Sequence, residues 1–300
     1  MKLPNSLTGY PRVAGLALII YIGTMILPVW CHGIPLPSNQ QTPPPKHCQP
    51  ANFALGSSTK FCLQTDRTNS QALTLHIYQS TASGTYRLSD TLSIEDWYSN
   101  GFAKVLQTGP NQADMIVAQG TGTHGTGVGQ TLIYLIAYHN QRFEPVLFES
   151  LSHTLTEPEG MKRCEGTLSL ELLGKLRVFT KKGKPIARID YRFRGDYQPD
   201  TETSPKTPAR HMRNQWHDEL SYCPATASFY GCQSSNRKKP TNVVRAAIDK
   251  ARQEFVKQRP SVYPSQSEEQ ESPTTSMWGL LDNIIRYPEL MRTNRTDIPN

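Results

Sequence analysis

Two histidines and two carboxylates fall within nine residues at His211-Met-Arg-Asn-Gln-Trp216-His217-Asp218-Glu219. Imidazole beside carboxylate is the raw material of acid/base catalysis or of a metal site. The spacing argues against both. His211 and His217 are six apart, about 240° on a helix, unlike the i, i+4 pair of a zinc helix. Coordination would need a loop, so no metal site is expected. His217 and Asp218 remain weak catalytic candidates, joined by His124, the one titratable side chain of the glycine-rich stretch Gly120-Thr-Gly122-Thr-His-Gly125. That stretch follows a strand and satisfies G-x-G-x-x-G. A dinucleotide site also needs a helix to open there, whereas Thr131-Leu-Ile-Tyr-Leu-Ile is strand-like. No cofactor is expected. There is no G-x-S-x-G, no S-x-x-K and no C-x-x-C, and Cys164 beside Lys162 and Arg163 carries no family signature. Whether the chain is an enzyme stays open at this level.

A second group of residues could bind rather than react. LSLELLGKLRVF (Leu168 to Phe179) and IARIDYRFR (Ile186 to Arg194) flank Lys181-Lys182-Gly183-Lys184. A two-residue turn at Lys182-Gly183 sets Leu176 opposite Ile189, Leu172 opposite Phe193, Lys175 opposite Asp190 and Glu171 opposite Arg194. Arg177 opposite Arg188 is the one repulsive pair, and a one-residue slip that relieved it would turn one strand's apolar face to water. Alternation then lines Lys175, Arg177, Arg188, Arg192 and Arg194 along one face. Such a face suits an anionic envelope surface, a polyanionic polymer or a protein partner.

The elements that must hold these residues are mainly strands. Between about 56 and 197, β-branched and aromatic residues alternate with polar ones and turn signals recur every 10 to 15 positions. Leu73, Leu75 and Ile77 alternate with Thr74, His76 and Tyr78. Ser89-Asp90, between Tyr86-Arg87-Leu88 and Thr91 to Ile94, reads as a hairpin turn. Leu132 to Tyr138 is apolar on both faces, which requires a central strand covered on both sides. The fold class is therefore mainly β, an antiparallel β-sandwich or barrel with two C-terminal helices. Residues 34–55 read as a Pro-rich spacer, 56–197 as the β-domain, 198–240 as a loop-rich connection and 241–300 as a helical C-terminal segment. The first helix is capped at Thr241 or Asn242, buries Val244, Ile248, Ala251 and Phe255, and ends at Arg259-Pro260; the second covers Ser276 to Arg286.

Compartment is written more plainly than chemistry. Lys2 and Arg12 precede an uncharged run of 18 residues, Val13 to Trp30. That length falls between a cleaved signal peptide and an uncleaved anchor, so residues 1–33 read as one or the other, with membrane contact through residues 13–30 if they are kept. Six cysteines suit an oxidising compartment, where short separation favours Cys48 with Cys62 and Cys223 with Cys232. The net charge of +7 drops by two with residues 1–33, too little to argue for nucleic acid. The reading is an exported protein, periplasmic or extracellular, that binds a ligand or partner without catalysis. The alternatives are an extracytoplasmic hydrolase built on the His/carboxylate cluster, and a carrier of an apolar ligand inside the β-domain.

Overall fold

A computed structural model describes residues 47–69, 71–109, 111–122, 128–157, 166–199, 209–232 and 243–258, with 277, 280 and 281. Their elements are β1 (Gln49–Ala51), β2 (Phe61–Asn69), β3 (Ala72–Ser80), β4 (Tyr86–Glu95), β5 (Phe102–Leu106), β6 (Met115–Gly122), β7 (Val128–His139), β8 (Arg142–Glu157), β9 (Gly166–Lys181), β10 (Lys184–Pro199), β11 (Arg210–Ser221) and the helix α1 (Val243–Gln258). The first four strands form one sheet in the order β1-β2-β3-β4. The other seven form a second, β11-β10-β9-β8-β7-β6-β5, and every pairing is antiparallel.

One core joins the two sheets in a sandwich-like arrangement. Leu63, Leu75, Ile77 and Ile94 of the smaller sheet share it with Ile116, Leu135, Leu172 and Ile189 of the larger. The alternation of β3 buries Leu73, Leu75 and Ile77 as their spacing requires. Strand β7 lies between β6 and β8, and Leu132 to Ala137 are buried without a break, as a strand apolar on both faces demands. Leu132, Tyr134, Ile136, Ile189 and Phe193, which a ligand-carrying interior would have to leave open, are all buried in this core.

The β9–β10 hairpin has the register its sequence implies. Leu176 faces Ile189, Leu172 faces Phe193, Lys175 faces Asp190 and Glu171 faces Arg194. The turn at Lys182-Gly183 places both residues at positive φ, the geometry of a tight hairpin in which glycine carries no Cβ penalty.

Two expectations are corrected. The 198–240 segment is not simply a connection: β10 runs on to Pro199, and Arg210–Ser221 is a full strand. Its inward positions Met212, Trp216 and Leu220 are interleaved with His211, Arg213, Gln215 and His217, and a rim strand with one polar face has the composition of a loop. Ser89 does not turn the chain; it is the extra residue of a β-bulge, since Ile77 pairs with Asp90 and Tyr78 with Leu88. Most of the second helix expected over Ser276 to Arg286 lies outside the described residues; Met277, Leu280 and Leu281, which are described, are buried in the core. Gln130 Nε2 donates to the Met277 carbonyl at 2.7 Å, and the Leu281 amide to His153 Nδ1 at 3.4 Å.

The larger sheet is forked. β8 pairs with β9 only between Ser152–Glu157 and Leu168–Leu173, and the residues of β8 before Ser152 have no pairing to β9. The Cys223–Cys232 loop meets the edge so released. Phe229 N donates to the Val146 carbonyl at 2.9 Å, and the Tyr230 hydroxyl takes the Phe148 amide at 3.0 Å and lies 2.7 Å from the Phe148 carbonyl. Backbone groups of an interior strand must be matched somewhere, and a phenol does it here.

Candidate binding face and the buried ion cluster behind it

The outward side chains of β9, β10 and β11 form one charged face, set by alternation and register. Arg177, Arg188 and Glu219 make one row, Lys175, Asp190 and His217 the next, then Leu173, Arg192 and Gln215, then Glu171, Arg194 and Arg213, then Ser169, Asp196 and His211. The repulsive Arg177–Arg188 pair is not left facing itself. Asp190 bridges it, bonded to Arg177 and, at 3.0 Å, to Arg188 Nε. These two bonds, Arg177's first, hold the Asp190 carboxyl below the usual carboxylate range. Asp196 is lowered in the same way by hydrogen bonds from His211 and Arg194. Carboxyls lowered by folding add stability above their ordinary pKa and lose it as the pH falls through the lower folded value, so these links hold at neutral pH and weaken on acidification.

Lys181 and Arg188 use Glu219, at 3.4 and 3.5 Å. With Asp190, Asp196 and Glu219 engaged, Lys175, Arg192 and Arg213 have no ion-pair partner among the described residues, and Glu171 makes no bond to Arg194. The three free cations are one strand and two residues apart at each step. They form a diagonal across β9, β10 and β11 with roughly 8 Å between Cα positions, from about 4.8 Å across and 6.8 Å along. All five cations expected on this face are there, and Arg213 joins them because β11 continues the sheet.

The His/carboxylate cluster does not assemble. His217 and Glu219 are exposed on the outer face, and Asp218 is buried on the inner one, as neighbours on a strand must be. His211 is 2.7 Å from Asp196 on the outer face. His124 and Cys164 lie outside the described residues. Among the described residues no group of three His, Cys, Asp or Glu side chains is placed to hold a metal.

Behind the basic face lies a group of which the sequence singled out only Asp218. Arg252 of α1 is buried. Its Nε is 2.6 Å from Glu149 Oε1 of β8, and its Nη1 is 2.8 Å from Asp218 Oδ2 and 3.3 Å from Asp249 Oδ1. Tyr191 OH of β10 donates to Glu149 Oε2 at 2.6 Å, Tyr230 OH lies 2.8 Å from Glu149 Oε1, and Arg245 Nη2 is 2.9 Å from Asp218 Oδ1. Burial alone would pull the Arg252 guanidinium down, yet Glu149, Tyr191 and Asp218 outweigh it and keep the charge in place. Burial, then the Glu149 charge, pushes the Tyr191 and Tyr230 phenols well above their ordinary value. The cluster ties α1, β8, β10, β11 and the disulfide loop to one point, with Arg252 Nη2 left without a hydrogen-bond partner among the described residues.

The raised phenols give the fold an alkaline limit. A group that keeps its proton longer when folded stabilises fully below its unfolded pKa and loses that stabilisation as the pH climbs toward the folded one. Above pH ~10, stability should fall by about 1.4 kcal/mol per pH unit for each such phenol. Urea midpoints measured between pH 9 and 11.5 check this, and Tyr191→Phe should flatten the slope by one proton.

No protein-family model, curated protein or solved structure gives a significant match to this chain.

The two disulfides are Cys48–Cys62 and Cys223–Cys232, the pairing that short separation favours. They mark an oxidising, extracytoplasmic environment. No helix among the described residues is long and apolar enough to cross a membrane, and Val13 to Trp30 lie outside those residues.

Proposed function

We propose that this is an exported, non-catalytic binding module that takes an anionic surface or polymer of the cell envelope on the outer face of β9–β11. The diagonal of Lys175, Arg192 and Arg213 carries this reading, because these cations stand free where every neighbouring Arg of the hairpin has been given a carboxylate. Free cations on a flat sheet at regular spacing present charge without an intramolecular competitor. The separation of His217 from Asp218 by the plane of the sheet removes the support for a hydrolase at that cluster. Residues 1–33 act in this reading as the export signal or membrane anchor, and the spacer after them holds the β-domain away from the bilayer.

Retention of the full chain on immobilised dextran sulfate tests the face. Changing Lys175, Arg192 and Arg213 together to Gln should weaken binding at low salt by on the order of 10- to 100-fold, from about 1 kcal/mol per basic residue at an anionic surface. Changing Lys60, Arg87 and Lys250 to Gln removes as much charge from other exposed positions. Equal loss from both triple variants would show a net-charge effect and sink the proposed face.

A further inference from the structure

The turn from β4 to β5 exposes three aromatic side chains in sequence, Trp97 at 43%, Tyr98 at 56% and Phe102 at 39%. Large apolar side chains on a solvent-facing loop usually relax onto the fold. These are prevented from doing so by the way the loop is built. Asp96 is fully buried and organises it: Oδ2 accepts from Arg67 Nη1 at 2.6 Å and from the Gly101 amide at 2.8 Å, and Oδ1 from the Thr121 amide at 3.3 Å. Arg67 Nη2 donates to the Gly101 carbonyl, and the Trp97 amide to the Thr121 carbonyl at 2.7 Å. Gly101 allows the close approach, since a Cβ there would come 2.4 Å from the Gln119 carbonyl oxygen. The loop backbone is pinned at both ends, at Asp96–Trp97 and at Gly101, while its aromatic side chains stand exposed, so contact with a partner costs less ordering entropy than for an unanchored loop.

Chemistry and position indicate what they meet. Trp and Tyr are the residues of the bilayer interface, with an apolar ring and a polar edge. The Trp97 indole N–H donates to Glu95, and Lys104 Nζ sits 5.6 Å from the Phe102 ring, which leaves the patch mixed in charge. The chain also joins the fold beside this loop. Gln49 pairs with Leu63, four residues along β2 from Arg67, and Gln49 Oε1 accepts from the Val105 amide, three residues after Phe102. Both routes put that point within roughly 10–13 Å of the loop along the strands. Only residues 31–48 separate it from the apolar run ending at Trp30, a span of at most about 65 Å.

We propose that the Asp96–Phe102 loop is a lipid-facing anchor, with Trp97, Tyr98 and Phe102 entering the headgroup layer of a largely zwitterionic bilayer and Lys104 beside the phosphates. The inference rests on the export reading, because it needs a membrane on the same side as the domain. It supplies a second, reversible attachment that fixes which pole of the domain faces the bilayer.

The test reconstitutes the full chain into phosphatidylcholine vesicles with and without brominated phosphatidylcholine, and follows the fluorescence difference between wild type and Trp97→Phe. That difference isolates Trp97 from the three other tryptophans. The inference expects the Trp97 signal to drop at least twofold in brominated vesicles. Flotation of the same vesicles reads the attachment of the chain separately. Chain that floats with an unquenched Trp97 would overturn the anchor, assign the aromatic patch to a protein surface, and leave the export reading intact. Chain that neither floats nor is quenched would overturn both.

Discussion

Arg252→Ala should destabilise the protein by about 3–5 kcal/mol, the largest loss expected from any single truncation in this fold. The charges of Glu149 and Asp218 are buried, and Arg252 bonds both. Deleting it leaves two carboxylates without their shared cation where water does not reach. The stem of Arg252 also packs in the apolar stripe of α1, and its guanidinium carbon lies 5.8 Å from the centre of the Tyr230 ring. Chemical denaturation followed by far-UV circular dichroism measures the loss. The informative partner is the triple change Arg252→Met, Glu149→Gln and Asp218→Asn. Removing the charges together should recover a large part of the stability, because the cost lies in uncompensated charge rather than in the missing bonds. An Arg252→Ala variant within 1 kcal/mol of wild type would mean that water enters the cluster and solvates both acids.

Gly120→Ala should be the second large effect, through steric collision alone. A Cβ at Gly120 would lie 2.0 Å from the Glu95 carbonyl oxygen and 2.9 Å from Ile94 Cγ2. The obstacle is backbone, at the place where the end of β4 passes over β6, so the two sheets would have to part. Overpacking of this kind costs about 1–3 kcal/mol, occasionally more. Gly129→Ala provides the contrast: its Cβ would meet only the Thr154 side-chain oxygen at 3.2 Å, and that hydroxyl can rotate away. A thermal-melt comparison should separate the two by several degrees. Equal melting temperatures would show that the sheets adjust at their junction.

The parts of the fold legible in the sequence are those fixed by a local period. The hairpin register followed from matching apolar faces across Lys182-Gly183, and α1 from the spacing of Val244, Ile248, Ala251 and Phe255. The charge partners within that hairpin were not legible. Register brings Lys175 to Asp190, but Arg177 and Arg188 have the reach and the planar fork to take the same carboxylate, and the lysine is left out. The buried cluster draws on residues 69 and 34 positions apart, and no local pattern links Glu149 to Asp218 or Asp218 to Arg252. A signal existed nonetheless. Arg252 follows Ala251 at i+4 from Ile248 and so sits on the apolar stripe, Glu149 ends the run Val146-Leu147-Phe148, and Asp218 occupies an inward position between Trp216 and Leu220. A charge at each of three core positions calls for the others.

The forked sheet sets an order of events for a chain that emerges from its N-terminus first. The edge of β8 at Phe148 waits for Tyr230, 82 residues further on, and Glu149 waits for Arg252, 103 residues on. Until both arrive, a strand edge and an acid that belong in the interior are open to solvent. Contacts so distant in sequence close slowly, and unmatched edges recruit other chains. Folding can therefore finish only after the helix has left the exit channel. Truncation before Arg252 should release a chain whose eleven strands are all present and whose sheet remains unsealed, prone to association rather than partly functional.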